Sequence, residues 1–308
     1  AGDEYTADFV LTSPDGNVAG KGNVGLTSER YLADVTIHNL NVGKFFPETG
    51  VGIVDGHIYA SGAGFNPTRR GVTTEVKVDI NRLDYGNALL TALNARATLH
   101  NGGYTISLIS GNEIIDGIIE ASGTVAPDDY YVDMTADLVN IDLQKLGMSK
   151  DVMRGSGVFT LRGSASPDKW LYDVDLAAKS LEVELPDYYI YLPNGIDAHF
   201  AAEAESVKAY IDAEKLKLDF NTSTSLQAFS KGMTSAMDVV MAQLKERKLD
   251  VSQFRPLMPE FDLTFNASGD GFMKQFFELA EMNVDSLYAD ISNHGELRGR
   301  AGVTRLAM

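Results

Sequence analysis

Apolar and polar residues alternate along most of the chain between Tyr5 and Phe220. This period of two is typical of strands that bury one face and expose the other. Segments with this pattern include Tyr5–Leu11, Val51–Tyr59, Val72–Ile80, Tyr104–Ile109, Val158–Leu161, Tyr172–Leu176 and Tyr188–Leu192. Short turn-forming sequences rich in Pro, Gly, Asn and Asp separate them. Strands joined by tight turns, with no long helix between them, predict an antiparallel meander.

The pattern changes near Ser225. Apolar residues then recur at intervals of three and four, which predicts an amphipathic helix of about five turns over 226–244. A second, shorter helical pattern covers Phe272–Met282, and strand patterns follow it. We therefore divide the chain into a repetitive β part (1–220), a helical insert or cap (221–260) and a β-rich continuation with a short helix (261–308), or read all three as one continuous unit.

One short pattern recurs in the β part. Ile37–Gly43 and Ile80–Gly86 both read apolar, two polar, apolar, polar, apolar, Gly. Looser copies have the spacing Leu138/Ile141/Leu143, Ala178/Leu181/Val183, Ala213/Leu216/Leu218 and Val284/Leu287/Ala289. The alternation slips by one residue at the polar pair, as a β-bulge would make it do, and a bulge coils its strand.

Glycine pairs precede several copies of this pattern and are interpreted as bends that open each repeating unit. They are Gly20-Lys21-Gly22, Gly62-Ala63-Gly64, Gly155-Ser156-Gly157 and Gly269-Asp270-Gly271. A sheet bent at the same place in successive units becomes a trough. The sequence thus predicts a mainly β fold: an elongated, curved antiparallel sheet that forms a repetitive, taco-like β-groove, with one or two amphipathic helices near residues 225–282.

The inward-facing residues of each unit are the candidate lining of this groove. They are Ile37, Leu40, Val42, Ile80, Leu83, Tyr85, Leu138, Ile141, Leu143, Leu181, Val183, Leu216 and Leu218. The predicted helix carries a methionine stripe, Met233, Met237 and Met241, which suits either plain core packing or a lid over the groove, because Met adapts to irregular partners. The Phe272/Phe276/Phe277 cluster leaves the same two interpretations open.

Composition narrows the classes of function. The 308 residues hold 26 Lys and Arg against 43 Asp and Glu, a net charge of −17, which disfavours nucleic acid as a partner. The absence of Cys excludes disulfides, thiolate catalysis and iron–sulfur clusters. No stretch reaches the roughly 18 consecutive apolar residues of a membrane span. The chain is expected to be soluble, either by itself or as a piece of something longer.

Chemical motifs are weak. No glycine pair forms a complete phosphate-binding loop, and the five His residues show no metal-ligand spacing. Carboxylate pairs such as Asp173 with Asp175 lack the ligand count of a calcium loop. We therefore predict no catalytic residues, no metal site, no cofactor and no enzymatic activity.

The stretch Gly155–Leu181, with its glycine-led strand, small turn and aromatic-led strand, resembles the repeat of the AsmA-like and translocation-and-assembly-module (TamB) family of Gram-negative envelope proteins. Thr135–Leu146 is similar to the closing element of that repeat, and the likeness covers most of residues 1–220 and resumes after 261. The helix near 225–250 departs from the simplest repeat.

The resemblance implies a lipid-binding groove in the periplasm of the cell envelope, with an inner-membrane anchor elsewhere in the full-length chain. It further implies phospholipid or another acyl-chain ligand, phospholipid transport between the inner and outer membranes, outer-membrane biogenesis, and an outer-membrane assembly protein as partner. Two alternatives remain: a structural module that recruits partner strands by β-augmentation, and a β-rich glycan hydrolase with two opposed carboxylates.

Overall fold

The computed structural model describes residues 3–126, 129–166, 169–185, 188–271, 273–274, 277 and 283–307. Within these residues nineteen strands belong to one hydrogen-bonded sheet, and every strand pair with a defined register is antiparallel. A β-groove requires an open sheet, and this sheet is not closed. The mainly β class predicted from the alternating pattern is therefore confirmed.

The chain divides into two compact units. The first comprises residues 1–160, 165–167 and 182–189, and the second comprises 161–164, 168–181 and 190–308. The strands of the first unit are β1 (Glu4–Ser13), β2 (Gly16–Gly25), β3 (Arg30–Asn41), β4 (Val51–Ala63), β5 (Thr73–Tyr85), β6 (Ala88–Leu90), β7 (Leu93–His100), β8 (Gly103–Gly111), β9 (Ile115–Ala126) and β10 (Asp129–Asp142). β11 (Val152–Ser166), β12 (Lys169–Leu185) and β13 (Tyr188–Leu192) contribute to both units.

The second unit continues with strands and helices. Its strands are β14 (Ile196–Glu203), β15 (Val207–Ala213), β16 (Leu216–Thr222), β17 (Phe261–Ser268), β18 (Asn283–Asn293) and β19 (Leu297–Ala307), and its helices are α1 (Leu226–Lys245) and α2 (Val251–Phe254). β16 pairs directly with β17, so α1 and α2 are an insertion between two neighbouring strands. The three-part division at residues 220 and 260 stays a prediction.

The predicted helix near residue 225 is confirmed as α1. The side chain of Ser225 caps it by accepting a hydrogen bond of 3.2 Å from the backbone N–H of Ala228. The second predicted helix, 272–282, lies mostly outside the described residues; its described members Met273, Lys274 and Phe277 are helical.

Bulges occur where the recurring pattern predicts them in the first unit. Pairing between β3 and β4 slips between Ile37 and Leu40, and pairing between β9 and β10 slips between Leu138 and Asn140. In the β4–β5 ladder Gly56 pairs with Ile80, and Asp55 pairs with Arg82. Asn81 is therefore an extra residue in β5 at this point, which is a third bulge. These extra residues bend and coil the strands that carry them.

Not every copy of the pattern marks a bulge. The β18–β19 ladder runs through Val284, Leu287 and Ala289 without a register shift. Ala213 pairs with Leu216 across the turn between β15 and β16, so the spacing Ala213/Leu216/Leu218 marks a hairpin instead. The interpretation of the glycine pairs as bends is also wrong for two of the four. Gly20 and Gly22 lie inside β2, and Gly155-Ser156-Gly157 lies inside β11. Gly62-Ala63-Gly64 stands at the end of β4, where Gly64 leaves the strand with a φ of 87°.

A different set of glycines faces the repeated pattern. A Cβ added at Gly16, Gly56 or Gly117 would lie within 3.0 Å of backbone atoms of the neighbouring strand. In each case these backbone atoms belong to the recurring pattern or to the residue just before it. The residues are Asn39 and Leu40 opposite Gly16, Asp79 opposite Gly56, and Asp137 and Leu138 opposite Gly117. In the second unit Gly195 approaches Ala178 and Gly269 approaches Val284 in the same way. Only glycine leaves room for this contact.

Substituting such a glycine should destabilise the first unit. For Gly117→Ala we expect the free energy of unfolding to fall by about 2 kcal/mol, because the new Cβ meets the β10 backbone and the residue holds a positive φ of 149°. Urea denaturation measures this change. Gly111→Ala is the control, since a Cβ there meets nothing within 4 Å; equal losses in both variants would contradict the argument.

A buried carboxylate fixes the end of β10. Asp142 is 2% exposed and accepts hydrogen bonds from the backbone N–H of Lys145 (2.9 Å) and from Nε of Arg154 (3.0 Å). Burial pushes the pKa of Asp142 up, but these two donors outweigh it and hold the pKa below its usual value. The ionised carboxylate therefore stabilises the fold above its unfolded pKa of about 3.9, and this contribution disappears as the pH falls through the lower folded pKa.

Asp142→Asn should lower the free energy of unfolding at neutral pH by about 2 kcal/mol, because Arg154 loses its nearest charged partner. The variant should also lose less stability than the parent chain between about pH 5 and about pH 2. Chemical denaturation at a series of pH values measures both effects. Glu75→Gln, which breaks an exposed pair with Lys77, is the control; a parallel pH profile for Asp142→Asn and the parent would contradict the prediction.

Candidate functional site

Strand pairing in the first unit aligns apolar side chains into rows that run across the sheet. One row consists of Phe9, Gly20, Val35, Ile58, Val78, Ala95, Leu108, Ile119 and Ala136, one residue from each successive strand. The next row consists of Ala7, Gly22, Ala33, Ala60, Val76, Ala97, Ile106, Ala121 and Met134. Residues two apart on a strand share a face, so these eighteen residues form one surface, the apolar face.

The opposite surface of the same strands is polar. Its matching row, the polar face, consists of Asp8, Lys21, Asp34, Tyr59, Lys77, Arg96, Ser107, Glu120 and Thr135. Cross-strand hydrogen bonds between polar side chains stabilise it, such as the one between Asp34 and His57 at 2.7 Å. The first unit is therefore an amphipathic sheet whose two faces differ sharply in chemistry.

The apolar face is sheltered but not covered. Val35, Ile58, Val78 and Leu108 are all half-buried, and Ile106 is 44% exposed. Of the eighteen residues only Ala136 belongs to the buried class. A sheet face packed against a second layer would bury its central side chains almost completely. The described residues thus leave a broad apolar surface accessible from one side.

An apolar cluster packs at one end of the strands that carry this face. Buried Ala88, Leu90 and Ile114 come from the connections β5–β7 and β8–β9, and Leu83, Leu93, Ile115 and Leu146 pack against them. Leu93 lies two residues before Ala95 on β7 and so shares its face, which places this rim cluster next to the open part of the apolar face.

The lining residues predicted for the first unit lie next to the rows or on the rim. Ile37 and Ile80 share a row through Gly56, and Leu40 pairs with Val54, which pairs with Leu83. Leu83 packs into the rim cluster. Eight of the predicted residues in this unit are half-buried, namely Ile37, Leu40, Val42, Ile80, Leu83, Leu138, Ile141 and Leu143, whereas Tyr85 is 41% exposed.

Sequence reasoning missed the centre of the apolar face. The prediction followed the recurring pattern, which lies near the bulged strand ends, and passed over mid-strand residues such as Val35, Val78 and Leu108. Simple period-two alternation around each strand centre was the signal that could have found them.

The second unit has an apolar face of its own. Ala198, Ile211, Leu218, Phe265 and Ala289 form one row across β14–β18. The predicted residues Leu216 and Leu218 lie on this face, half-buried, and Leu181 is half-buried in β12. Val183 is also half-buried, but it belongs to the part of β12 in the first unit.

Helix α1 packs on the second apolar face through Phe229. Its ring meets Phe220 edge-on at 4.9 Å and Phe261 edge-on at 5.9 Å between centroids. Met233 is half-buried, whereas Met237 and Met241 are 54% and 51% exposed. The methionine stripe is therefore split between the packed and the open side of the helix. Of the phenylalanine cluster, Phe277 is buried, and Phe272 and Phe276 lie outside the described residues.

No family model, curated protein or solved structure matches this chain. The likeness of Gly155–Leu181 to the AsmA-like and TamB repeat accordingly stays a prediction. Along the described ranges, no helix combines the length and the apolar character needed to cross a membrane.

Measurements of stability can test whether α1 has one packed side and one open side. Phe229→Ala should lower the free energy of unfolding by about 2 kcal/mol, less than for a fully buried ring because Phe229 is half-buried. Met241→Ala, on the open side, should change it by less than about 0.5 kcal/mol. Thermal or urea denaturation of the two variants compares them, and a Met241 effect as large as that of Phe229 would show that the stripe is core.

Proposed function

We propose that this chain is a lipid-binding segment that holds the acyl chains of phospholipid on the apolar face of its sheet. The observation that supports this is the continuous apolar surface of the first unit, which spans nine strands and which none of the described residues covers with a second layer. Large apolar surfaces that stay accessible mark binding sites in soluble proteins.

The energetics favour an acyl chain as the ligand. Each CH₂ group that leaves water gains about 0.8 kcal/mol when it is fully buried. Small residues such as Ala33, Ala60 and Ala97 alternate with larger ones such as Ile58 and Leu108 on this face, so a flexible chain finds shallow channels rather than a flat surface. The rim cluster limits the ligand on one side.

The resemblance to the AsmA-like and TamB family supplies the biological setting of the proposal. In this proposal the chain works in the periplasm as part of a protein anchored in the inner membrane. It supports phospholipid passage between the inner and outer membranes or the assembly of outer-membrane proteins with a partner there. No catalytic step is involved, because lipid diffuses along the apolar face.

A photo-crosslinking amino acid at position 78 should capture phospholipid when the protein is made in Gram-negative cells, because Val78 lies at the centre of the apolar face. The same amino acid at position 77 is the matched control, since Lys77 is the next residue and lies on the polar face. Mass spectrometry of the crosslinked products gives the readout. Capture at neither position, or equally at both, would overturn the proposal.

Binding in solution provides a second comparison. Val78→Gln should weaken binding of a fluorescent fatty acid about fivefold, whereas Lys77→Gln should leave it unchanged. Circular dichroism checks that both variants keep their strand content. Lipid-free purification of the folded parent chain, with no uptake of the fluorescent probe, would also contradict the proposal.

A further inference from the structure

Three metal-ligating side chains meet on the surface of the second unit opposite its apolar face, because His199 is the neighbour of Ala198 in β14. Asp173 and Asp175 stand two apart on β12 and therefore share a face, and His199 of β14 pairs directly with Asp175. Their ligand atoms all lie within 4.8 Å of one another. The sequence hides this group, because 24 positions separate His199 from Asp175 and only strand pairing joins them.

The distances match those between ligands of one small cation. Nδ1 of His199 is 2.8 Å from Oδ1 of Asp175 and 3.8 Å from Oδ1 of Asp173. Two ligands of a tetrahedral ion with metal–ligand bonds of about 2.0 Å are about 3.3 Å apart. The two observed values lie on either side of this separation. The 2.8 Å contact is a hydrogen bond between His199 and Asp175, so a bound ion would take the place of the proton that they share.

Charge favours a cation at this point. Two carboxylates this close repel each other, and a divalent cation between them would remove that repulsion. We propose that Asp173, Asp175 and His199 bind one divalent transition-metal ion, of which Zn²⁺ is the reference case. This site is independent of lipid binding, because it lies on the polar side of the sheet.

The ligand set indicates which ions fit. Imidazole suits Zn²⁺, Co²⁺ and Ni²⁺, whereas Ca²⁺ requires six to eight oxygen ligands. A surface cavity of about 360 Å³ borders His199 on the side of β15 and β16, where Lys208 and Tyr210 line it. Asp173, Asp175 and His199 are all half-buried, so water can reach an ion held by these three protein ligands.

The same chain offers an internal comparison. His57 and Asp34 form a pair at 2.7 Å on the first unit, with geometry like that of His199 and Asp175. Among the described residues, Asp173, Asp175 and His199 are three possible metal ligands whose ligand atoms lie within 4.8 Å of one another. Within the same described ranges, the pair of His57 and Asp34 has no third ligand at such a distance. A second carboxylate within reach is what distinguishes the proposed site.

The experiment is isothermal titration of the purified full chain with Zn²⁺ alone, repeated with Co²⁺ while its visible absorption is recorded. We expect one saturable equivalent and a cobalt absorption band typical of a low-coordinate nitrogen and oxygen site. His199→Gln and Asp173→Asn should each weaken binding at least about tenfold. His57→Gln and Asp34→Asn, which remove the comparison pair, should leave the affinity unchanged.

Each other result counts against the site. The absence of a saturable equivalent, or retention of full affinity in His199→Gln, would overturn the proposal. An equal loss in His57→Gln would show scattered surface binding, and displacement of Zn²⁺ by an equimolar amount of Ca²⁺ would overturn the transition-metal assignment. Circular dichroism of each variant verifies that the sheet is intact, so that lost binding reports on the ligands.

Discussion

The close approach of a glycine on one strand to the recurring pattern on the next is the contact on which the local curvature of the sheet depends. Gly16, Gly56 and Gly117 make this approach in the first unit, and Gly195 and Gly269 make it in the second. In the first unit bulges accompany it, and each extra residue coils its strand. A side chain at these glycines would push the strands apart and remove the pairing that aligns the rows.

Alignment of the rows in turn separates the two faces of the first unit. Because side chains alternate, one register holds Val35, Ile58 and Val78 on one surface and Asp34, Tyr59 and Lys77 on the other. A slip of one residue in a single strand would place charges among the apolar rows. Bulges that keep Ile37 and Leu40 on one side of the strand therefore extend the apolar face up to the strand ends without mixing it with the polar one.

The two faces support different chemistry. The apolar face is wide, half-buried and lacks a covering layer among the described residues, which suits a flexible acyl chain better than a rigid ligand. The polar faces bring His and Asp side chains together across strands, and on the second unit a second carboxylate joins them. Helix α1 anchors on Phe220 and Phe261 but leaves Met237 and Met241 accessible, so the insertion adds apolar surface as well as packing.

The sequence by itself determined the class of the fold, the position of α1 and the places of three bulges, because periodicity and the polar pair in the recurring pattern are local properties. It misjudged Gly20 and Gly155, since a glycine inside a strand and one in a bend look alike without the partner strand, and it took the hairpin at Ala213 for a bulge. Only the tertiary structure decided which residues form the apolar face and that His199 meets Asp173 and Asp175. Rows and clusters across strands depend on register, and register is fixed by contacts between segments distant in sequence.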